Sequence, residues 1–116
     1  MSDGFMYDVF LSGPMTGVAG FNFKAFNDAA FTLRELGYSV FNPAEINGSR
    51  PYLPREWYFR QDVMMLTQCR EICTLTGWQH SPGASLERQI AKECGIQNKS
   101  MSTLIRRAEE RNALTK

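Results

Sequence analysis

Short apolar runs alternate with segments of helical periodicity along most of this chain. Three runs with glycine, proline or asparagine at their borders are typical of buried strands: residues 7–11, 38–41 and 72–75. Four segments carry apolar residues at helical spacing and predict helices over residues 22–36, 57–68, 86–94 and 100–114. Two prolines and an Asn-Gly pair predict a loop over residues 44–54, and residues 95–97 suit a brief fourth strand.

This alternation predicts an α/β domain with a parallel sheet that helices cover on both faces. In such sheets the ligand crevice lies beyond the carboxyl ends of the strands. Three segments are expected to meet there, residues 12–17, 42–45 and 78–87, and the second helix is expected to reach them through Asp62. The sequence therefore predicts one small-molecule site at one edge of the sheet.

The composition suits a globular protein of one domain. The chain has 116 residues, of which 43% are hydrophobic and 22% are charged. The formal net charge of +1 argues against a broad basic face for duplex nucleic acid. No apolar stretch approaches the roughly 18 residues of a membrane span, and the first residues lack the pattern of a signal peptide. We expect a cytoplasmic protein that binds neither duplex nucleic acid nor membranes.

The three cysteines, Cys69, Cys73 and Cys94, do not form a zinc-binding pattern, because the first two have no second cluster and His80 is the only histidine. Free cysteine is commonly buried as a small apolar residue. We expect structural thiols and no bound metal, with redox or metal roles as the alternatives.

Two carboxylates, Glu87 and Asp62, are the candidates for chemistry. Glu87 falls in the first turn of the helix predicted to begin at residue 86, where the helix dipole favours an ionised carboxylate. An ionised carboxylate beside a crevice can act as a nucleophile, while a second acid handles the proton of the leaving group. The alternatives are a helix-stabilising role for Glu87 and a solvated or ion-paired surface position for Asp62.

Backbone and aromatic groups complete the predicted site. The loop Ser12-Gly13-Pro14-Met15-Thr16-Gly17 is neither a Walker loop nor a dinucleotide fingerprint, but its small residues let a ligand approach the backbone. The segment from Ser81 to Gly83 precedes a helix and can direct N–H groups at an anion or a sugar oxygen. Trp78 offers a flat apolar surface for a base or sugar, or else lies at the edge of the core.

Five motifs follow one another along most of the chain. They are Phe10-Leu11-Ser12-Gly13-Pro14-Met15-Thr16-Gly17, Asn22-Phe23 with Phe26-Asn27, Leu36-Gly37-Tyr38 with Val40 and Asn42-Pro43-Ala44-Glu45, Arg60 with Asp62, and Gly77-Trp78 with Ser81, Gly83-Ala84 and Glu87. Their residue types and order resemble the nucleoside 2-deoxyribosyltransferase superfamily. The likeness runs from about residue 7 to residue 96 and is closest to a small branch that is frequent in phages and their bacterial hosts.

This resemblance implies a flavodoxin-like three-layer α/β/α sandwich with a small parallel sheet and a C-terminal helix. It assigns residues 1–98 to a transferase-like domain and leaves residues 99–116 as a helical tail, packed on the same domain or on another subunit. Members of the superfamily usually assemble as homodimers or higher homo-oligomers, so we expect the same here. We expect no cofactor.

The resemblance also implies a role for each site residue. Glu87 falls where members carry the glutamate that attacks C1′ of the sugar, and Asp62 where an aspartate assists proton transfer to the departing base. The other matching positions are implied to bind substrate: Ser12, Gly13, Pro14, Met15, Asn42, Trp78, Ser81 and Gly83.

Two positions depart from the pattern of the superfamily. Phe10 stands where characterised members carry a tyrosine, so a hydroxyl that could orient the nucleophile is lost. Arg70 stands where relatives often carry an acid, and it could repel a cation, attract a phosphate or lie at the surface.

The function expected from these residues is that of an N-glycosidic enzyme. It would transfer or hydrolyse the base of a (deoxy)nucleoside or a nucleoside 5′-monophosphate. One alternative is a nucleotide-binding protein without turnover that keeps the crevice. The other is a structural or partner-binding protein whose tail helix is the interface.

Overall fold

Four strands form one wholly parallel sheet in the computed structural model, which describes residues 4–49 and 52–114. The strands are β1 (Tyr7–Ser12), β2 (Val40–Phe41), β3 (Cys69–Thr74) and β4 (Gln97–Asn98), in the spatial order β2-β1-β3-β4. The helices are α1 (Phe23–Glu35), α2 (Pro43–Ser49), α3 (Arg55–Leu66), α4 (Pro82–Glu93) and α5 (Met101–Leu114). Short 3-10 turns at Ala19–Asn22 and Trp78–His80 precede α1 and α4.

The central strand β1 is apolar over successive residues because helices cover both of its faces. Val9 and Leu11 pack in a cluster with α1 and α5, whereas Phe10 packs in a second cluster with α3 and α4. All three side chains are fully buried, as the alternation of side chains along a strand requires. The predicted flavodoxin-like α/β/α sandwich with a C-terminal helix is therefore confirmed.

One predicted loop and one predicted helix start are wrong, and a helix that begins at an x-Pro pair explains both. Residues 43–49 form α2 rather than a loop, because Asn42 Oδ1 accepts the N–H of Ala44 at 3.0 Å and Pro43 opens the helix. Helix α4 begins at Pro82 rather than at residue 86, because Ser81 Oγ accepts the N–H of Ala84 at 3.2 Å. The other helices and strands end within a few residues of their predicted limits.

The strand order reverses at β1. After β1 the chain crosses to β2 on one side, and β3 then pairs with β1 on the other side, with Ser12 beside Thr74. The connections leave the carboxyl ends of β1 and β3 in opposite directions, which opens a crevice between them. This reversal determines where the candidate site lies.

Two of the three cysteines are core residues. Cys69 and Cys73 are buried in the sheet, and their burial raises the pKa of both thiols to about 12, so both stay neutral at ordinary pH. Cys94 is exposed just after α4, so the expectation of a buried structural thiol is wrong for it.

Helix α5 packs on the same face of the sheet as α1. Its residues Leu104 and Ala108 are fully buried, and the Tyr38 hydroxyl donates to the Leu104 carbonyl at 2.7 Å. Arg107 donates to both oxygens of the buried Glu71 carboxylate on β3, at 2.7 and 3.1 Å. None of the described helices is long and apolar enough to cross a bilayer.

We expect Arg107→Ala to lower the free energy of unfolding by about 2 kcal/mol, because a carboxylate that is only 8% exposed loses two charged hydrogen bonds. Urea unfolding followed by circular dichroism measures the change. Lys24→Ala is the control, because Lys24 and its partner Asp28 are both well exposed and their pairing contributes little. Equal stability of the two variants would contradict this account of α5.

Candidate functional site

A cavity of about 890 Å³ opens at the carboxyl ends of β1 and β3. Its size lies within the range of ligand sites, on the order of 300–1,000 Å³. Side chains of one face of α3, the first half of α4 and the segments that follow β1 and β2 line it. Most of these side chains are apolar or aromatic, among them Met15, Val18, Phe21, Phe23, Phe26, Leu53, Tyr58 and Phe59. The cavity therefore lies at the predicted edge.

The loop after β1 enters the cavity at Gly13. A Cβ atom on this residue would lie 3.0 Å from Leu75 Cβ and 3.5 Å from Phe26 Cζ, so a larger residue would push the loop away from the core. Gly13, Pro14 and Met15 line the cavity as predicted by position. Ser12, one residue earlier, does not line the cavity and is 1% exposed.

A strained turn holds an aromatic ring at the cavity. Phe21 (φ 52°, ψ 23°) and Asn22 (φ 61°, ψ 20°) are both left-handed, a conformation that costs non-glycine residues roughly 1–3 kcal/mol each. Asn22 Nδ2 donates to the Pro14 carbonyl at 2.9 Å and ties the turn to the loop after β1. The Phe21 side chain lines the cavity and is 61% exposed.

The two predicted catalytic acids meet in this cavity. Asp62 comes from α3 and Glu87 from the second turn of α4, both line the cavity, and their carboxyl groups are hydrogen-bonded to each other. Ser12 Oγ donates to Glu87 Oε1 at 2.6 Å. Glu87 is buried, with 6% of its surface exposed. Glu87 thus accepts hydrogen bonds from two sides.

A hydrogen bond between two carboxyl groups requires that one of them carries a proton. Burial raises the pKa of Asp62 strongly, and the neighbouring Glu87 charge raises it further. Burial also raises the pKa of Glu87, while the hydrogen bonds from Ser12 and Asp62 oppose this rise. When the pair carries one proton, that proton therefore lies on Asp62 and Glu87 is the carboxylate.

We expected the helix dipole to keep Glu87 ionised, but the dipole is not what stabilises its charge. Because α4 begins at Pro82, Glu87 is the sixth residue of the helix and lies outside the first turn, where the dipole acts most strongly. Burial works against ionisation here. The two hydrogen-bond donors beside Glu87 supply the stabilisation that the dipole was expected to give.

Two of the predicted substrate-binding residues, Ser81 and Gly83, line the cavity at the start of α4. The guanidinium of Arg55 approaches them from α3: its Nη2 atom lies 3.8 Å from the position that a Cβ of Gly83 would occupy. Among the described residues Arg55 forms no hydrogen bond or ion pair. This corner thus combines the first turn of a helix, a serine hydroxyl and a guanidinium.

Two further predicted residues, Asn42 and Trp78, do not line the cavity. Asn42 is 2% exposed and its amide is occupied: Nδ2 donates to Asn27 Oδ1, and Oδ1 accepts the N–H of Ala44. Its role is to start α2. Trp78 lies half-buried in the 3-10 turn before α4, between two residues that do line the cavity, Gly77 and His80.

The two departures from the superfamily pattern lie away from the cavity. Phe10 is fully buried and its ring stacks on Phe41 with the centroids 5.5 Å apart. Arg70 is at the amino end of β3, the opposite edge of the sheet, where it lies 3.7 Å from Asp8 and over the Phe5 ring. Of the three roles considered for Arg70, the surface position is the one observed.

Of the α3 residues that line the cavity, only Asp62 was predicted from the sequence. Arg55, Tyr58 and Phe59 line the cavity, and they precede Asp62 by seven, four and three residues, which places all four on one helical face. That spacing was a usable signal. Phe21 had none, because a left-handed turn of this kind has no periodicity.

Asp62→Asn is expected to raise the free energy of unfolding at about pH 8 and to change it less at about pH 5. Because folding raises the pKa of Asp62, the stability contributed by the neutral carboxyl is present at low pH and is lost as pH rises through the folded-state pKa. Asparagine stays neutral at every pH and can still donate to Glu87. Urea unfolding at both pH values measures the gain.

Asp28→Asn is the matched control for this measurement, because Asp28 is exposed on α1 and its one ion pair within residues 4–49 and 52–114 is with the exposed Lys24. It should show no gain at the higher pH. A loss of stability in Asp62→Asn at about pH 8 would contradict the assignment of the proton to Asp62.

Comparison with known proteins places this chain in a family. A comparison with curated proteins gives no match. A family model described as "Domain of unknown function (DUF4406)" matches residues 7–99, which contain all four strands, the loop after β1 and both acids. Because this match spans most of the chain, the protein belongs to the DUF4406 family.

Proposed function

We propose that this protein breaks the N-glycosidic bond of a (deoxy)nucleoside or nucleoside 5′-monophosphate, by base transfer or hydrolysis, with Glu87 as nucleophile and Asp62 as proton donor. The observation that carries the proposal is the contact between the buried Glu87 and the half-buried Asp62 beside a largely apolar cavity, with the shared proton on Asp62. The resemblance to the nucleoside 2-deoxyribosyltransferase superfamily supports the same roles for the same residues.

The pair suits both halves of the reaction. As the base leaves, C1′ becomes cationic, and a Glu87 oxygen forms a bond to it while the electrons of the C1′–N bond pass to the base. Asp62 supplies the proton that the departing nitrogen takes up. A water molecule or a second base then attacks C1′, frees Glu87 and returns a proton to Asp62. Hydrolysis and transfer differ only in this last acceptor.

The contact between the acids favours direct attack by Glu87 over activation of a water. Enzymes that use one acid to activate water hold their two carboxyl groups about 6.5–9.5 Å apart, so that a water fits between attacker and sugar. Here the two groups are hydrogen-bonded to each other. Enzymes that form a glycosyl–enzyme intermediate hold the two groups closer, about 5–5.5 Å apart, and two acids in contact are nearer to that arrangement.

The aromatic side of the cavity suits a base. Tyr58 and Phe59 precede Asp62 by about one turn on α3, and Phe21 lies on the strained turn. Flat rings bind a planar heterocycle by stacking and exclude water from it. A base held there would leave from a position close to the proton on Asp62.

The start of α4 suits a 5′-phosphate. Ser81, Gly83 and the Arg55 guanidinium meet there, and helix N-termini favour anions. Glu87 follows Gly83 by four residues, about 6 Å along the helix axis. Five single bonds join C1′ of a nucleotide to its phosphorus, so one molecule can reach both positions. This dimension supports a monophosphate over a free nucleoside.

The test of the proposal is a screen of nucleosides and their 5′-monophosphates, with free base detected by chromatography. Glu87→Gln should lower base release by about 10³-fold or more, because no nucleophile remains. Glu93→Gln, an exposed change at the end of the same helix, should leave it unchanged. Mass spectrometry with a slow fluorinated substrate should show one added sugar on Glu87.

Two results would count against the proposal. Undiminished base release by Glu87→Gln would reject the nucleophile. If the wild type releases no base from any substrate, calorimetric titration of the same compounds decides the remaining alternative: tight binding would identify a nucleotide-binding protein without turnover.

Arg55→Ala should raise KM for a 5′-monophosphate by about tenfold or more, because one charged hydrogen bond to the phosphate is lost. The KM of the matching nucleoside, which has no phosphate, should stay unchanged. Arg60→Ala is the control, because Arg60 is exposed on the same helix and does not line the cavity. Equal effects on nucleotide and nucleoside would place the phosphate elsewhere.

A further inference from the structure

Ser12 is the last residue of β1, and its hydroxyl lies behind the cavity rather than in it. It is 1% exposed, does not line the cavity, and donates to Glu87 Oε1 at 2.6 Å. A ligand in the cavity would therefore meet Glu87 but not Ser12. Any influence of Ser12 on chemistry must pass through Glu87, and the expectation that Ser12 binds substrate is corrected accordingly.

The position of this hydroxyl follows from the strand. Side chains alternate along β1, so Ser12 faces the same side as Phe10, the side covered by α3 and α4. The Ser12 backbone is fixed too, because its carbonyl accepts the N–H of Leu75 at 2.7 Å. Because its backbone is fixed, Ser12 can donate its hydroxyl proton only to an acceptor close by, and that acceptor is Glu87.

The two acids differ in the number of hydrogen bonds that they accept. Glu87 accepts from Ser12 and from Asp62, whereas the Asp62 carboxyl is the partner that supplies the shared proton. A carboxylate accepts hydrogen bonds much better than a neutral carboxyl does, so a fixed hydroxyl stabilises charge on the acid that it touches. Without Ser12, the pKa values of the two acids in contact would lie closer together, and the proton would be less firmly confined to Asp62.

We propose that Ser12 is a positioning residue, which keeps Glu87 as the ionised partner of the pair and so leaves the shared proton on Asp62. Its consequence for catalysis rests on the proposed function: the nucleophile is then charged, and the proton lies on the acid that serves the leaving base. The hydroxyl also restrains the Glu87 side chain and so fixes the direction of attack.

Ser12→Ala tests this inference with little change in volume. We expect kcat for base release to fall about 10- to 100-fold, as for loss of a hydrogen bond to a charged group. KM should change less than about twofold, because Ser12 does not touch substrate. The acidic limb of the kcat profile should move to higher pH, because Glu87 then ionises less readily.

Thr74→Val is the matched control. Thr74 lies directly beside Ser12 on β3, and its hydroxyl bonds to Asn98 rather than to an acid. It removes a hydroxyl at the same edge of the sheet, so any general loosening of that edge affects both variants. Its kcat and its pH profile should match those of the wild type.

A second measurement needs no turnover. Carbon-13 NMR titration of the carboxyl groups should show a higher pKa for Glu87 in Ser12→Ala than in the wild type or in Thr74→Val. An unchanged Glu87 titration would overturn the inference whatever the activity, and so would an unchanged kcat in an active enzyme. If the wild type releases no base but the Glu87 titration moves as expected, the proposed function fails and the role of Ser12 stands.

Discussion

The candidate site depends on the burial of β1 on both faces at the point where the strand order reverses. Because β2 and β3 lie on opposite sides of β1, the connections that follow β1 and β3 diverge and leave a cavity at the carboxyl edge. Because α3 and α4 share one face of the sheet, an acid from each helix reaches the same point.

The same region lowers the stability of the folded protein. The buried Glu87 is in contact with a second acid, the half-buried Asp62, and two non-glycine residues of the adjoining turn are left-handed. The rest of the fold is conventional by comparison: two apolar clusters fill the space on either side of the sheet, and α5 is held by Tyr38 and by the Arg107–Glu71 pair. Destabilising features that are confined to a cavity, in a fold that is stabilised elsewhere, are typical of a ligand site.

The architecture could be predicted because its main signals are periodic. Apolar runs and helical stripes specify the strands, most of the helices and the edge at which Asp62 and Glu87 meet. Helix α2 and the start of α4 were missed, because Asn42-Pro43 and Ser81-Pro82 suggest a break in structure as readily as a helix cap. The protonation of the acids depends on burial and on Ser12, a contact between residues 75 positions apart that no local pattern reveals.

The left-handed turn at Phe21 has a consequence for ligand recognition. Its ring is largely in water and its backbone is in a costly conformation, and in the free protein the turn is held by the Asn22–Pro14 hydrogen bond and by the contact of the Phe21 ring with Phe23. A flat ligand that covered the ring would remove apolar surface from water at this place and would favour the turn over its relaxed alternatives. Occupancy of the cavity and rigidity of the segment from Ala19 to Asn22 would then be thermodynamically linked, and amide exchange in that segment would slow on binding.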